Sequence, residues 1–232
     1  MSLVSAALLG LGLGVKHAFE ADHVAAVCAL VARRGTVARA ARSGALWGLG
    51  HGAVIILAGG ALVVLGARVP GPLAAALDAA VAVMLVGLGV SALRRSPTEQ
   101  EQEQEQEQEQ EQGHGHGHGH GHGHGQDHDH RGSMRRPIFV GLVHGASGTA
   151  ALTLLVASTI PRRAEALAFI TLFGLASILG MAAAAAALAW PLRKAALHAP
   201  TIARGLRGLA GVGSIAAGVM VGWVALMASS SN

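Results

Sequence analysis

Three stretches of this chain, Gly44 to Ala67, Ile138 to Ile160 and Leu209 to Ala228, contain no Asp, Glu, Lys or Arg, and a fourth, Gly71 to Leu93, contains only Asp78. A helix crossing the hydrocarbon core of a bilayer needs roughly 20 mostly apolar residues, and each run meets that length. Two further segments are long enough. Ala164 to Pro191 carries Glu165 at its edge, and Ser2 to Ala32 carries Lys16, Glu20 and Asp22 in its middle. With 52% hydrophobic and 13% charged residues, the chain is far more apolar than a soluble domain of 232 residues. The expectation is an all-α, polytopic membrane protein with six transmembrane helices. No Lys or Arg precedes Lys16, and no small-residue cleavage pattern follows the first apolar run, so the leading helix is expected to be retained.

Basic residues accumulate in cytoplasmic loops, and here they fall almost wholly on one side. The first loop holds Arg33, Arg34, Arg39 and Arg42; the third holds Arg94, Arg95, Arg131, Arg135 and Arg136; the fifth holds Arg193, Lys194, Arg204 and Arg207. The opposite side has only Arg68, Arg162 and Arg163. Both termini are therefore expected outside a bacterial cytoplasmic (inner) membrane, with the central loop in the cytoplasm. The basic balance reflects topology and not nucleic-acid binding.

That central loop separates two membrane units, 1–93 and 138–232, and occupies 94–137. It contains an alternating Glu-Gln tract from Glu99 to Gln112, His-Gly steps from His114 to His124, and then Asp127, His128, Asp129 and His130. No core forms from such a composition. Imidazoles on a glycine-rich chain wrap a borderline metal ion without a defined fold, so metal buffering or delivery is favoured over a plain solvated spacer. The membrane units look duplicated. A shift of 126 or 127 residues aligns Gly14-Val15-Lys16-His17 with Gly141-Leu142-Val143-His144, and Leu46-Trp47-Gly48-Leu49-Gly50 with Leu172-Phe173-Gly174-Leu175-Ala176. Three helices per unit is an odd number, so a second copy inserts upside down. A 3+3 inverted repeat of the transporter type is expected.

Charged side chains at bilayer depth cost about 2.5–3.5 kcal/mol each on insertion scales, so they need partners or a hydrated cavity. The first span nevertheless reads Lys16-His17-Ala18-Phe19-Glu20-Ala21-Asp22-His23. Two imidazoles and two carboxylates in so short a stretch suit a divalent cation. On a straight helix of about 3.6 residues per turn, His17, Glu20 and His23 share a broad face while Asp22 points away from His17. Local unwinding, permitted by Gly10, Gly12 and Gly14, and completion from a neighbouring helix are both expected. His51, in Gly48-Leu49-Gly50-His51-Gly52, is the obvious completing ligand, because the glycines admit a close neighbour.

His144 stands where the repeat places His17, although Thr149 and Ala150 replace Asp22 and His23. It is a candidate for the ion path, with Ser147, Thr149 and Ser177 as possible hydroxyl donors; helix packing is an equal reading of these. Lys16 is a candidate counter-charge for the acidic cluster. Asp78 and Glu165 read as interfacial ion pairs or helix N-terminal charges, His198 as a solvated loop residue and Cys28 as a small packing residue.

The His17-x4-Asp22-His23 pattern followed by Leu49-Gly50-His51 resembles the signatures of the nickel/cobalt transporter family, in its shorter branch related to urease-accessory permeases. The resemblance covers most of the membrane portion and implies roles in metal selection and passage for His17, Asp22, His23 and His51. Glu20 departs from the family's usual aspartate, and Ala146, Ser147 and Gly148 stand where longer, eight-span relatives have an acidic motif. The implied activity is transport of nickel or cobalt as substrate, with no permanently bound cofactor. Some related proteins are exporters, so efflux is the alternative to uptake, and a non-transporting membrane metal buffer is the other. A cytoplasmic metallochaperone or a urease or hydrogenase maturation protein is the expected partner, besides lipid and the ion itself. No His-Glu-x-x-His pair or activated nucleophile is present, which argues against an intramembrane enzyme.

Overall fold

A computed structural model describes residues 1–31, 36–94, 128–147 and 156–230. Every regular element among them is helical. In chain order these are α1 (Leu3–His17), α2 (Ala21–Val31), α3 (Val37–Val54), α4 (Gly60–Leu65), α5 (Gly71–Arg94), α6 (His128–Gly145), α7 (Arg163–His198) and α8 (Pro200–Ser230). A wider π-helical stretch, Ile55–Gly59, joins α3 to α4 without a break.

The local chemistry sets the boundaries. Ser2 caps α1 by accepting from the Ser5 N–H, and Thr36 caps α3 by accepting from the Arg39 N–H. The α3–α4 rod stops at Gly66, whose φ of 62° is the left-handed conformation that only glycine adopts at little cost. The Ala67 N–H then reaches back to the Leu62 carbonyl, closing the exposed end. Pro70 precedes α5 and Pro72 lies in its first turn, where a missing N–H is tolerated.

Four helical segments are long and apolar enough to cross a bilayer: Val37–Leu65, Gly71–Arg94, Arg163–Ala195 and Arg204–Met227. Leu3–His17 and Ala21–Cys28 together form a fifth if counted as one span bent by 50°. The expected run from Ile138 to Ile160 begins within α6 but continues through residues outside the described set. The Glu-Gln tract and the His-Gly steps also lie outside it.

The polarity of the assembly is that of a membrane protein. Leu57, Leu65, Val83, Leu179 and Leu209 are each 70% or more exposed, whereas His23, His51, His144, Ser177 and Ser214 are fully buried. Soluble proteins sort their side chains the other way. This chain is a multi-pass membrane protein.

Small residues bring the helices together. A Cβ on Gly14 would collide with the Phe173 carbonyl on α7, and one on Gly141 would collide with the Trp47 carbonyl on α3. Gly89 and Gly218 similarly admit close approach of α8 to α5, where the buried Ser214 hydroxyl donates to the Leu85 carbonyl at 2.8 Å. α7 thus lies against both α1 and α3, α3 lies against α6, and α5 pairs with α8. Trp47, Phe169, Phe173 and Met181 fill the spaces between them.

Candidate metal site

The leading helix breaks where the polar residues are. After His17 the chain makes one tight turn, with the Phe19 N–H bonded to the Lys16 carbonyl and the Glu20 N–H to the His17 carbonyl, before α2 resumes at Ala21. The expected unwinding is present, but its cause is different. Gly10 and Gly14 do not loosen the helix; they seat it against backbone carbonyls of Phe169 and Phe173 on α7, while Gly12 faces open space. The break puts the C-terminal end of α1 and the N-terminal end of α2 side by side. Asp22, in the first turn of α2, sits where a helix dipole favours negative charge.

The bend frees Asp22 and His23 from the geometry of a straight helix and turns them into the bundle. Three other helices' worth of contacts then converge. His17 Nε2 lies 3.2 Å from His51 Nε2 on α3. His23 stacks edge-on to His17, His51 and His144, with ring centroids 4.3, 5.1 and 4.4 Å away. Asp22 Oδ2 is 3.1 Å from His144 Nε2 on α6, and Asp22 Oδ1 is 3.0 Å from His23 Nδ1. Glu20 Oε2 is 2.9 Å from His17 Nδ1 and its side chain is 39% exposed, so it forms the outer end of the cluster.

The protonation pattern follows from the carboxylates. An ionised carboxylate only accepts, so with Asp22 and Glu20 charged the proton of His17 and of His23 is on Nδ1, and that of His144 on Nε2. His17 Nε2 is then a lone pair and accepts from the Nε2–H of His51. Three buried nitrogens are left with a lone pair and no partner among the described residues: His23 Nε2, His51 Nδ1 and His144 Nδ1. A carboxylate that fixes an imidazole's tautomer and leaves the far nitrogen bare is the usual support of a histidine that binds metal.

All six residues singled out in the sequence, His17, Glu20, Asp22, His23, His51 and His144, therefore meet in one place. The secondary candidates do not. Lys16 is exposed rather than turned into the acidic cluster. The Ser177 hydroxyl is committed to the Phe173 and Gly14 carbonyls at 2.8 and 3.2 Å, which ties α7 to α1. Ser147 donates to the His144 carbonyl, and Thr149 lies outside the described residues. Glu165 pairs with Arg162 at 3.6 Å, as an interfacial residue would. His198 is exposed as the last residue of α7 and not in a loop, with Nδ1 3.0 Å from the Lys194 carbonyl. Cys28 lines an apolar cavity of about 670 Å³ between α2, α7 and α8, away from the histidines.

Two aromatic residues that mark the sequence repeat also belong to the site. Trp47 packs 5.5 Å from His23 and 5.7 Å from His144, and Phe173 packs 5.1 Å from His17. They wall the imidazoles with apolar surface. Their position four residues before His51 and Ser177, on the same face one helical turn away, was the available signal.

No family model matches the chain, and no solved structure does. Among curated proteins, it is 29% identical over 182 residues to the urease accessory protein UreH of Bacillus sp. (strain TB-90), an alignment covering 78% of this chain and 75% of that protein. The chain is thus similar over most of its length to a urease accessory protein, in line with the urease-accessory branch that its His-x4-Asp-His and Leu-Gly-His motifs resemble.

Proposed function

We propose that this protein carries a divalent transition-metal ion, nickel or cobalt, across the bacterial cytoplasmic membrane through the cluster formed by α1, α2, α3 and α6. One observation carries this reading: four buried imidazoles and a carboxylate converge from those helices, leaving lone pairs unpartnered inside an apolar shell. Satisfying an ion there replaces the water that it must shed on leaving either aqueous phase. Neutral imidazole with carboxylate suits nickel, cobalt, zinc and copper. The relative's name as a urease accessory protein favours nickel, and a urease or hydrogenase maturation protein or metallochaperone is the partner the reading implies on the cytoplasmic side.

In this reading the bent α1–α2 pair is one span and the run from Ile138 to Ile160 another, which gives six and a 3+3 inverted repeat with both termini outside. Mirrored contacts support the repeat. Gly14 and His17 meet Phe173, and their counterparts Gly141 and His144 meet Trp47, the counterpart of Phe173. A discontinuous helix with its broken ends at the ligand site is a recurrent transporter feature. The cytoplasmic His-rich loop buffers or delivers the ion and is not part of the path.

Reconstituted vesicles loaded with a metal-sensitive dye test the reading. Flux of Ni2+ and Co2+ is expected for the intact chain, with the direction of net uptake or efflux read from the side of addition. Loss of flux on deleting 114–130, with none on replacing His17 or His51, would assign the chain to metal buffering instead.

A further inference from the structure

Six polar side chains in one cluster need not make one site. Ligand atoms of His17, His23 and His51 all lie within 4.8 Å of one another, and so do those of Asp22, His23 and His144. Each set has the compactness a single ion needs, and His23 alone is common to both. The far members diverge: the rings of His51 and His144 are 5.9 Å apart, the longest separation among the histidine rings in contact.

We propose, resting on the transport reading above, that the cargo ion occupies two overlapping three-ligand sites in succession, one of His17, His23 and His51 and the other of Asp22, His23 and His144. His23 is the ligand retained while the other two are exchanged. A bare divalent ion is never stranded among apolar walls, because at mid-transfer it still holds an imidazole.

The two sites differ in ways that order them. The first consists of three neutral imidazoles, all from the 1–93 half, and is joined through His17 to the partly exposed Glu20. It is the site connected to the outside of the cluster. The second contains the Asp22 carboxylate and is closed by His144, the one ligand supplied by the 138–232 half. Imidazole suits borderline ions such as nickel and cobalt better than carboxylate does, so the first site holds the ion at equilibrium and the second receives it in transit. The two halves of the protein thus share the ion only in the second site, and a relative motion of the halves opens or closes that site while leaving the first intact.

The structure also shows what must give way. In the first site, His51 donates to His17 Nε2, so an arriving ion displaces that hydrogen bond. In the second, Asp22 holds His23 and His144 by one oxygen each, and their other nitrogens are bare. An ion that takes Asp22 as a ligand therefore displaces a hydrogen bond there as well.

Equilibrium Co2+ binding and vesicle flux, measured side by side, separate two sites from one. The background is the full-length chain with the loop histidines between His114 and His130 changed to Asn, so that only the membrane cluster binds. His144→Ala is expected to keep Co2+ affinity within about threefold of the background while flux falls at least about tenfold, since the first site survives and the exchange cannot finish. His51→Ala is expected to lose both. His144→Gln, which keeps a donor for Asp22, should show the same split and guards against a folding defect in the alanine variant. Parallel loss of binding in the His144 and His51 variants would mean a single site and overturn the proposal, as would undiminished flux in His144→Ala. A background protein that neither binds nor moves Co2+ or Ni2+ would instead refute the transport reading itself.

Discussion

His17 and His51, 34 residues apart, face each other with their Nε2 atoms 3.2 Å apart and their ring planes inclined by 29°. Two neutral imidazoles this close share one proton between them, and the pair is held from outside by Glu20 on His17 Nδ1. Because the two rings act as a unit, their removal is predicted to be non-additive. His17→Ala and His51→Ala should each reduce Ni2+ flux by about 10- to 100-fold, the range seen when a metal site loses a supporting group, and the double variant should fall little further. Initial rates in vesicles, normalised to folded protein, check this; a fully multiplicative double variant would contradict it.

Asp22 accepts from the His23 backbone N–H, from His23 Nδ1 and from His144 Nε2. Asp22→Asn keeps the shape but replaces one acceptor by an NH2 donor, which opposes a donor already in place. The metal affinity of the loop-substituted protein is predicted to drop about 10- to 100-fold. A titration followed by Co2+ absorption measures it, and an unchanged affinity would show that Asp22 neither binds nor orients.

The helix crossings make a contrasting prediction. Gly141 lies against the Trp47 and His51 backbone, whereas Gly12 faces open space. Gly141→Leu is expected to destabilise the fold by about 1–3 kcal/mol or more, because the clash is with main chain that cannot move aside. Gly12→Leu should leave the melting temperature in detergent almost unchanged. Equal losses in the two variants would mean that α6 does not dock against α3 through Gly141.

The identity of the site was legible because charge at bilayer depth is costly, which sets the stretch from Lys16 to His23 apart from every other span. His51 followed from its glycine setting. The unwinding was foreseen, but where the helix breaks could not be read, since a tight turn at Ala18–Glu20 has no proline or glycine to announce it. Nor could the sequence separate packing from ligation for hydroxyls: Ser177 and Ser214 spend theirs on backbone carbonyls of neighbouring helices. Gly10 and Gly14 were visible, but their purpose, close approach to α7, depends on a partner more than 150 residues away in the chain. Four spans, or five with the bent pair, are borne out by length and composition; the sixth runs into residues outside the described set.

Ser214 supplies a control remote from the cluster. Its hydroxyl, fully buried, donates to the Leu85 carbonyl between α8 and α5. Ser214→Ala is predicted to cost about 1 kcal/mol of stability, with no change in flux per folded molecule. A flux defect at unchanged stability would place the α5–α8 pair in the transport cycle.

Nickel K-edge X-ray absorption on the full-length protein with Asn at the loop histidines is the most direct test of whether the buried imidazoles hold the ion. Bound nickel surrounded by nitrogen and oxygen neighbours, with the outer-shell scattering of imidazole, is predicted, and His23→Ala should abolish that spectrum because both ligand sets depend on His23. Nickel absent from the parent protein, or a spectrum indifferent to His23→Ala, would contradict the account.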